Sequence, residues 1–286
     1  MWKPASLSWP RGRIELFLSV LNGSNGVKLH HMDIVNLPDQ AKRLIAGFSV
    51  EEITVGQSGD RVFRLEDTEG VRFLKMSTVR GYADLREEYE TLTWLASLRF
   101  PFAPRPFHFL SIPSQDFLLL EAVIGRNLDD GVLSDAVIGE CARMLRQVHE
   151  LPTKHCPHNR GLAQHITAAR LRIADGLVDE SDFDNERVGW SAQQVLDEVL
   201  RTKPSSEDTV FSHGDFTPAN ILFSRSRPSG LVDWGRAGRA DRYCDLSLFC
   251  RSLPDPRSQE RFLAAYGIEQ PDRGRLSFYR LLDELF

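Results

Sequence analysis

The sequence is poor in cysteine. Its four, Cys141, Cys156, Cys244 and Cys250, form no C-x-x-C pair and stand at no metal-ligand spacing. A disulfide framework and a thiolate zinc site are therefore not expected, the four read as reduced thiols, and the cytoplasm is the expected compartment. Long apolar runs are missing as well. The segment "IELFLSVL" near the start carries Glu15, is too short to span a bilayer and is followed by no small-x-small cleavage site, so neither a membrane partner nor a secretory signal is expected. There is no basic excess: 35 Lys and Arg stand against 40 Asp and Glu, a net charge of −5, which argues against a general nucleic-acid binder. The run His155-Cys156-Pro157-His158 has no second cluster near it in sequence and reads as a solvated loop rather than a metal site. Internal repeats and linker-length low-complexity tracts are also lacking.

What is present is an ordinary globular composition, 42% hydrophobic and 26% charged, in 286 residues, enough for two lobes or one large domain. Residues 210–248 carry the chemistry. Three residues of strand character, 210–212, lead into "HGDFTPAN", which presents Asp215 in a Gly-containing turn and Asn220 five positions on. A second short apolar strand then ends on Asp233 of "DWG". The pattern predicts three oxygen-bearing side chains at the ends of neighbouring strands. That suits phosphoryl transfer from a nucleotide, which asks a protein chiefly for positioning and charge neutralisation. Asp215 is the candidate base, and the Asn220 amide oxygen and Asp233 carboxylate are hard ligands suited to Mg²⁺. "HGD" alone also fits a plain turn with surface acids; the added Asn220 and Asp-x-Gly make that reading a poor one.

Upstream, a helical pattern at 36–48 (Leu37, Ala41, Leu44, Ile45) precedes strand, Gly-rich turn, strand, "EDTEG" hairpin turn and strand. The turn Gly56-Gln57-Ser58-Gly59 lacks a full G-x-G-x-x-G and by itself reads as a hairpin turn. Lys75 ends the third strand, where an ammonium on the inner face of a sheet needs an anionic partner. The next predicted helix, 83–98, offers Glu87, Glu88 and Glu90, which spacing alone leaves as a solvated face. The Pro-rich "RFPFAPRPFHFL" leads into a strand "DFLLLEAV", an amphipathic helix is predicted at 134–150, and further helices are predicted at 163–177 and 191–201. Between the last two, five acids fall in the eight positions 179–186. Composition alone makes this a solvated face. A polycationic ligand changes that reading, since a carboxylate about 4 Å from an ammonium gains on the order of 4 kcal/mol at an effective dielectric near 20, before desolvation. Two further helices are predicted after Arg251.

The passages "HGDFTPANILF", "DWGRAGRADRYCDLSL" and "FYRLLDELF" resemble the aminoglycoside 3′-phosphotransferases, bacterial antibiotic-resistance kinases built on the protein-kinase fold, over residues 32–286. The resemblance implies an α+β, bilobal fold: a nucleotide-clamping lobe with a small antiparallel sheet at 32–121, a larger mainly helical lobe at 122–286 that binds the aminoglycoside, and residues 1–31 as a poorly ordered extension. It implies phosphorylation of the antibiotic's 3′-hydroxyl, ATP as donor with GTP as the alternative, Mg²⁺, and a monomer or weak homodimer. Carried over by position, Ser58 covers the phosphates, and Lys75 is aimed at them by Glu88, selected by matching "EEYETLTWL". Glu121 and Val123 form the adenine-reading hinge. The family commonly has a small residue where Glu121 stands and an acid at Ala122, which leaves the ATP or GTP preference open. Arg236 sits beside Asp215 and the transferred phosphate. Asp184, Glu186, Arg251, Asp255, Glu284 and Phe286, through its α-carboxylate, face the aminoglycoside, while Asp241 and Asp245 brace the fold.

Three other readings remain at this point. A kinase of another small alcohol (a macrolide, a choline-like metabolite or homoserine) is disfavoured by the number of acids. A catalytically inactive nucleotide-binding protein would not need all of Lys75, Glu88, Asp215, Asn220 and Asp233. Metal-dependent hydrolysis through His213 and Asp215 lacks a second His-Asp set.

Overall fold

Alternating apolar residues build a five-stranded antiparallel sheet within residues 49–121 of the computed structural model, which describes residues 37–53, 61–78, 83–128 and 133–286. The strands are β1 (Ser49–Ile53), β2 (Arg61–Asp67), β3 (Gly70–Ser77), β4 (Pro106–Ile112) and β5 (Gln115–Glu121), in the order β1-β2-β3-β5-β4. The hairpin joining β2 to β3 closes where predicted: Asp67 Oδ1 accepts the amides of Glu69 (2.7 Å) and Gly70 (3.0 Å), and Gly70 takes a φ of 140°. Side chains alternate across a pleated strand, and β5 uses both faces. Phe117 and Leu119 join Phe63, Leu65, Leu74 and Met76 in a small core closed by helix α1 (Asp39–Leu44). Leu118 and Leu120 face the opposite way, into the large core shared with helix α2 (Leu85–Ser97) and the helices that follow.

Those helices are α3 (Asp135–His149), α4 (Leu162–Ala174), α5 (Ala192–Thr202), α6 (Tyr243–Arg251), α7 (Pro256–Tyr266) and α8 (Arg273–Asp283). Their starts are written in the sequence. Asp84 caps α2 by accepting the Glu87 amide (2.9 Å), Ser134 caps α3, Ser191 and Gln194 form a capping box on α5, and Asp272 caps α8. The acid run 179–186 folds as two single 3₁₀ turns, Glu180–Asp182 and Asn185–Arg187. Among the described residues no helix is long and apolar enough to cross a membrane.

The catalytic stretch is built from β6 (Thr209–Ser212), a 3₁₀ turn Pro218–Asn220, β7 (Ile221–Ser224), β8 (Arg227–Leu231), a 3₁₀ turn Trp234–Arg236 and β9 (Gly238–Asp241). Here the structure differs from the sequence expectation. The strands that end near Asp215 and Asp233 do not share a ladder: β6 pairs with β9, and β8 pairs with β7. The Asp215 turn meets the end of β8 through a side chain instead, His213 Nε2 lying 3.0 Å from the Val232 oxygen, while the Val232 amide donates to the Asn220 oxygen (3.0 Å) within the β7–β8 hairpin. The residues 1–36 and Ser58 lie outside the described residues.

Candidate active site

Lys75 leaves β3 and Glu88 leaves α2, and their side chains meet in the interior. Lys75 Nζ donates to both oxygens of Glu88, at 2.8 and 2.9 Å, and also contacts the carboxylate of Asp233. Burial works against the ammonium, but the charges of Asp233 and Glu88 outweigh it and hold the Lys75 pKa above its ordinary value. Lys75 in turn keeps the Asp233 carboxyl below the usual carboxylate range, against desolvation. Burial pushes Glu88 the other way, upward. One cation thus faces two carboxylates, and the surplus negative charge is what a bound divalent cation would offset.

Asp233 has a left-handed backbone, φ 63° and ψ 64°, which Asp tolerates better than most residues. Such conformations persist only where the surroundings enforce them. Next to it, Trp234 is fully buried, its indole N–H donating to the Leu231 oxygen (2.8 Å).

Asp215 sits in a turn held from below. Gly214 takes a φ of 79°, and a Cβ there would run into the Arg236 main-chain oxygen. Asp245, fully buried in α6, accepts hydrogen bonds from His149 Nε2, Ser212 Oγ and the amides of His213 and Gly214, each at 2.8 Å. Burial opposes its charge, but these donors, His149 foremost, hold its carboxyl below the ordinary range. His213 is also buried. Its Nε2 lies 3.0 Å from the Val232 oxygen and its Nδ1 3.3 Å from the Asp215 amide, so Nε2 carries the proton and the ring is neutral, its pKa lowered by burial. That arrangement spends both ring nitrogens on the backbone and leaves nothing for metal hydrolysis.

The Asp215 carboxylate accepts Asn220 Nδ2 at 2.8 Å, and the same nitrogen donates to the Asp215 main-chain oxygen at 2.9 Å. The Asn220 amide oxygen is therefore turned away from Asp215, and it is the end suited to Mg²⁺. Arg236 Nη1 lies 3.8 Å from Asp215 Oδ1. Burial raises the Asp215 pKa, and Arg236 only partly offsets the rise.

A cleft of about 270 Å³ between the sheet and β7–β8 gathers Lys75, Glu88, Glu121, Val123 and Asp233 on one wall system. The Glu121 amide is taken by the Arg105 oxygen (2.9 Å), and the side chain of Val123 packs so closely on Gly230 that a Cβ there would collide with it. The hinge is thereby fixed against β8.

On the other side of Asp215, acids and arginines alternate. Glu284 is bound by Arg187 Nε at 2.6 and 2.7 Å, Asp184 by Arg187 (3.1 Å) and Arg280 (2.6 Å), and Asp283 by Arg236 (2.6 Å) and Arg251 (3.0 Å). Glu186 reaches Arg187 at 3.3 Å and is otherwise exposed. The Phe286 ring lies under the guanidinium groups of Arg236 and Arg172, and its main-chain oxygen accepts from Arg172 (2.8 Å). Asp184, Glu186, Arg251, Glu284 and Phe286 are brought together here. Asp255 is placed differently, at the N-cap of α7, where it accepts the amides of Arg257 (2.9 Å) and Ser258 (3.0 Å) and the Ser258 hydroxyl (2.8 Å).

Sequence reasoning missed Asp283, which joins Arg236 to Arg251, and the arginines Arg187 and Arg280. The available signal was the Asp-Glu pair inside "DELF" and the arginine that closes the acid run.

A family model described as "Phosphotransferase enzyme family" matches residues 49–279. An aminoglycoside 3′-phosphotransferase of Escherichia coli is 36% identical over 259 residues, 87% of this chain and 95% of that protein. The crystal structure of an aminoglycoside 3′-phosphotransferase of type VIII superposes with a TM-score of 0.79 at 33% identity, over 90% of this chain and 100% of that one. A Streptomyces rimosus aminoglycoside phosphotransferase solved with ADP and streptomycin gives 0.72 at 28% identity, over 87% and 99%. A cleft floored by a lysine between two carboxylates, on a scaffold shared over nearly its whole length with these enzymes, places the chain in the phosphotransferase enzyme family, among the aminoglycoside 3′-phosphotransferases.

Proposed function

We propose that the protein transfers the γ-phosphoryl group of ATP to the 3′-hydroxyl of a kanamycin-type aminoglycoside, in the cytoplasm, and so confers resistance. The observation that carries this reading is Lys75 held between Glu88 and Asp233 at the floor of the cleft, next to the Asp215 turn. Lys75 steadies the α- and β-phosphates, the role of the β3 lysine paired to a helix glutamate in protein kinases. The hinge at Glu121–Val123 receives the adenine. Asp233 and the Asn220 oxygen would hold Mg²⁺, which supplies charge neutralisation at the β- and γ-phosphate oxygens. Asp215 accepts the hydrogen bond of the 3′-hydroxyl and orients its oxygen in line with the γ-phosphorus. A new oxygen–phosphorus bond forms, the bond to the bridging oxygen breaks with its electron pair on ADP, and the hydroxyl proton passes to Asp215. Arg236, facing Asp215 Oδ1 at 3.8 Å, is close enough to share the charge of the transferred group.

The acids of the acceptor side supply the countercharge for the antibiotic's ammonium groups, with Asp184, Glu186, Asp283 and Glu284 as the binding set. ADP release measured with kanamycin and with tobramycin, which lacks the 3′-hydroxyl, tests both donor and position. Turnover is expected with kanamycin alone, with a product heavier by one phosphoryl group. Equal turnover of tobramycin removes the 3′ assignment, and turnover confined to neutral sugars removes the antibiotic reading.

A further inference from the structure

The consecutive glutamates of α2 point to different partners. Glu88 reaches Lys75, whereas Glu87 accepts Arg160 Nη2 at 2.6 Å and the amide of Ala83 at 2.6 Å. The same Arg160 nitrogen donates to the main-chain oxygen of Gly235 at 3.0 Å, in the turn that follows Asp233. Arg160 is buried, and its own backbone is pinned: its amide donates to the Arg239 oxygen (2.8 Å), and the Arg239 amide returns to His158 (3.0 Å). His158 adds a second tie to α2, its Nε2 lying 3.1 Å from the Glu87 oxygen.

We propose that Arg160 is a positioning residue for phosphoryl transfer, its guanidinium clamping helix α2, through Glu87, to the Asp233 turn, through Gly235. The inference rests on the reading of Lys75 and Asp233 as nucleotide-side groups. Neighbouring residues on a helix point about 100° apart, so two ion pairs from Glu87 and Glu88 fix the rotation of α2 about its axis. Packing of Leu85, Leu92 and Leu95 sets which face of α2 turns inward, and the second pair limits the smaller rotation that would still carry Glu88 away from Lys75. The turn is held from the same point: the Trp234 amide faces Glu88 Oε1 at 3.4 Å, and a Cβ at Gly235 would press on the Ala83 oxygen. Both acceptors are met by the two N–H groups of one nitrogen, Nη2, held in the guanidinium plane and permanently charged, whereas a lysine ammonium in its place would be free to rotate.

The test uses the full chain with Arg160→Gln, Glu87→Gln, the double variant and Arg160→Lys, measuring kcat, KM for ATP and for kanamycin, ADP affinity with Mg²⁺, and Tm. A displacement of about 1 Å at the reacting groups costs up to about 100-fold, so each Gln variant is expected to lose about 10- to 100-fold in kcat/KM for ATP. ADP affinity falls with it, KM for kanamycin stays within about twofold, and the double variant is no worse than either single one. Arg160→Lys recovers part of the loss. The exposed pair Arg143–Glu140 is the control, and Arg143→Gln is expected to change nothing. A lowered Tm with unchanged kcat/KM for ATP well below the melting temperature overturns the proposal. If Arg160→Gln does not fold, Glu87→Gln and Arg160→Lys decide by the same criterion. Lys75→Ala separates the two levels: unchanged nucleotide affinity there sinks the site reading itself, whatever Arg160 does.

Discussion

The two sides of Asp215 handle charge differently. On the nucleotide side Lys75 faces two carboxylates, the buried Glu88 and the half-exposed Asp233, so negative charge outnumbers positive at the cleft. On the acceptor side Asp184, Asp283 and Glu284 each meet at least one guanidinium, from Arg187, Arg236, Arg251 or Arg280. The first is a constellation whose charge suits a cation and phosphates. The second is a balanced network in which a ligand ammonium has to share or displace an arginine already present. A buried charge is costly without a partner, so Glu88 depends on Lys75, while Asp233 opens onto the cleft and strand, helix and turn set where the excess charge lies. The acceptor side is satisfied without ligand, which lets its loop be shaped by pairing rather than by packing.

The largest effects are expected where the comparison turns, at Asp215. Asp215→Asn should lower kcat by about 10² to 10⁴, the range for losing a positioned base, with ADP affinity unchanged; a kcat within threefold, at about 0.6 kcal/mol, would remove Asp215 from its role. The wild-type rate carries the same signature in its pH dependence. Burial raises the Asp215 pKa and the base must be ionised, so kcat/KM should fall on the acid side at a pH above the ordinary carboxylate range. Arg236 holds that pKa down, so in Arg236→Gln the acid limb should move further up. An acid limb that stays in place would mean that another group titrates.

Next comes the support under Asp215. Asp245→Asn removes a carboxylate that accepts from His149, Ser212 and two amides, and a loss of about 3 kcal/mol in unfolding free energy is expected from breaking such a buried charged network. The folded pKa of Asp245 is depressed, so its contribution is present above the unfolded value near 4 and disappears as pH falls through the lower folded one. Chemical denaturation between pH 3 and pH 7, wild type against variant, checks this, with the gap expected to shrink as the pH is taken down below the ordinary carboxylate range.

What could be read in the sequence follows the same division. Lys75 and the Asp215, Asn220, Asp233 set were legible because short fixed spacings and strand-ending polar residues carry them, and the sheet and its hairpin were legible from apolar segments set between turn signals. Spacing alone could not select Glu88 over Glu87, because which face of α2 meets β3 is decided by tertiary packing; only the family pattern chose. β6 and β8 were expected as neighbouring strands but lie in separate two-stranded ladders, and their ends are joined by the His213 side chain reaching the Val232 oxygen, which no local spacing announces. On the acceptor side the partners come from α6, α8 and the 3₁₀ turn at Asn185–Arg187. No local pattern tells that Arg187 and Glu284, so far apart in the chain, will pair.

Arg187 is the place to sharpen the acceptor half. Arg187→Gln frees Glu284 and loosens the acidic loop, and the KM for kanamycin is expected to rise about tenfold, about 1.4 kcal/mol, with KM for ATP unchanged. A fall in the antibiotic KM would instead mean that Arg187 competes with a substrate ammonium for Glu284, making the network a barrier rather than a scaffold.

The smallest expected effect concerns Asp255, which family position assigns to the antibiotic and the structure places at a helix start. Replacing an N-cap by Ala costs about 0.5 to 2 kcal/mol, whereas Ser caps nearly as well as Asp. Asp255→Ala should therefore lower the melting temperature slightly, and Asp255→Ser should restore it, since Ser keeps a side-chain oxygen for the Arg257 and Ser258 amides. Ser carries no charge, so the same variant isolates any contact with an ammonium group. If capping is all that Asp255 does, Asp255→Ser leaves the KM for kanamycin within about twofold, as expected for a surface charge far from its ligand. A KM raised severalfold in a variant of normal stability would move Asp255 back among the antibiotic-binding acids, and would extend the charge-matched half of the site to the start of α7.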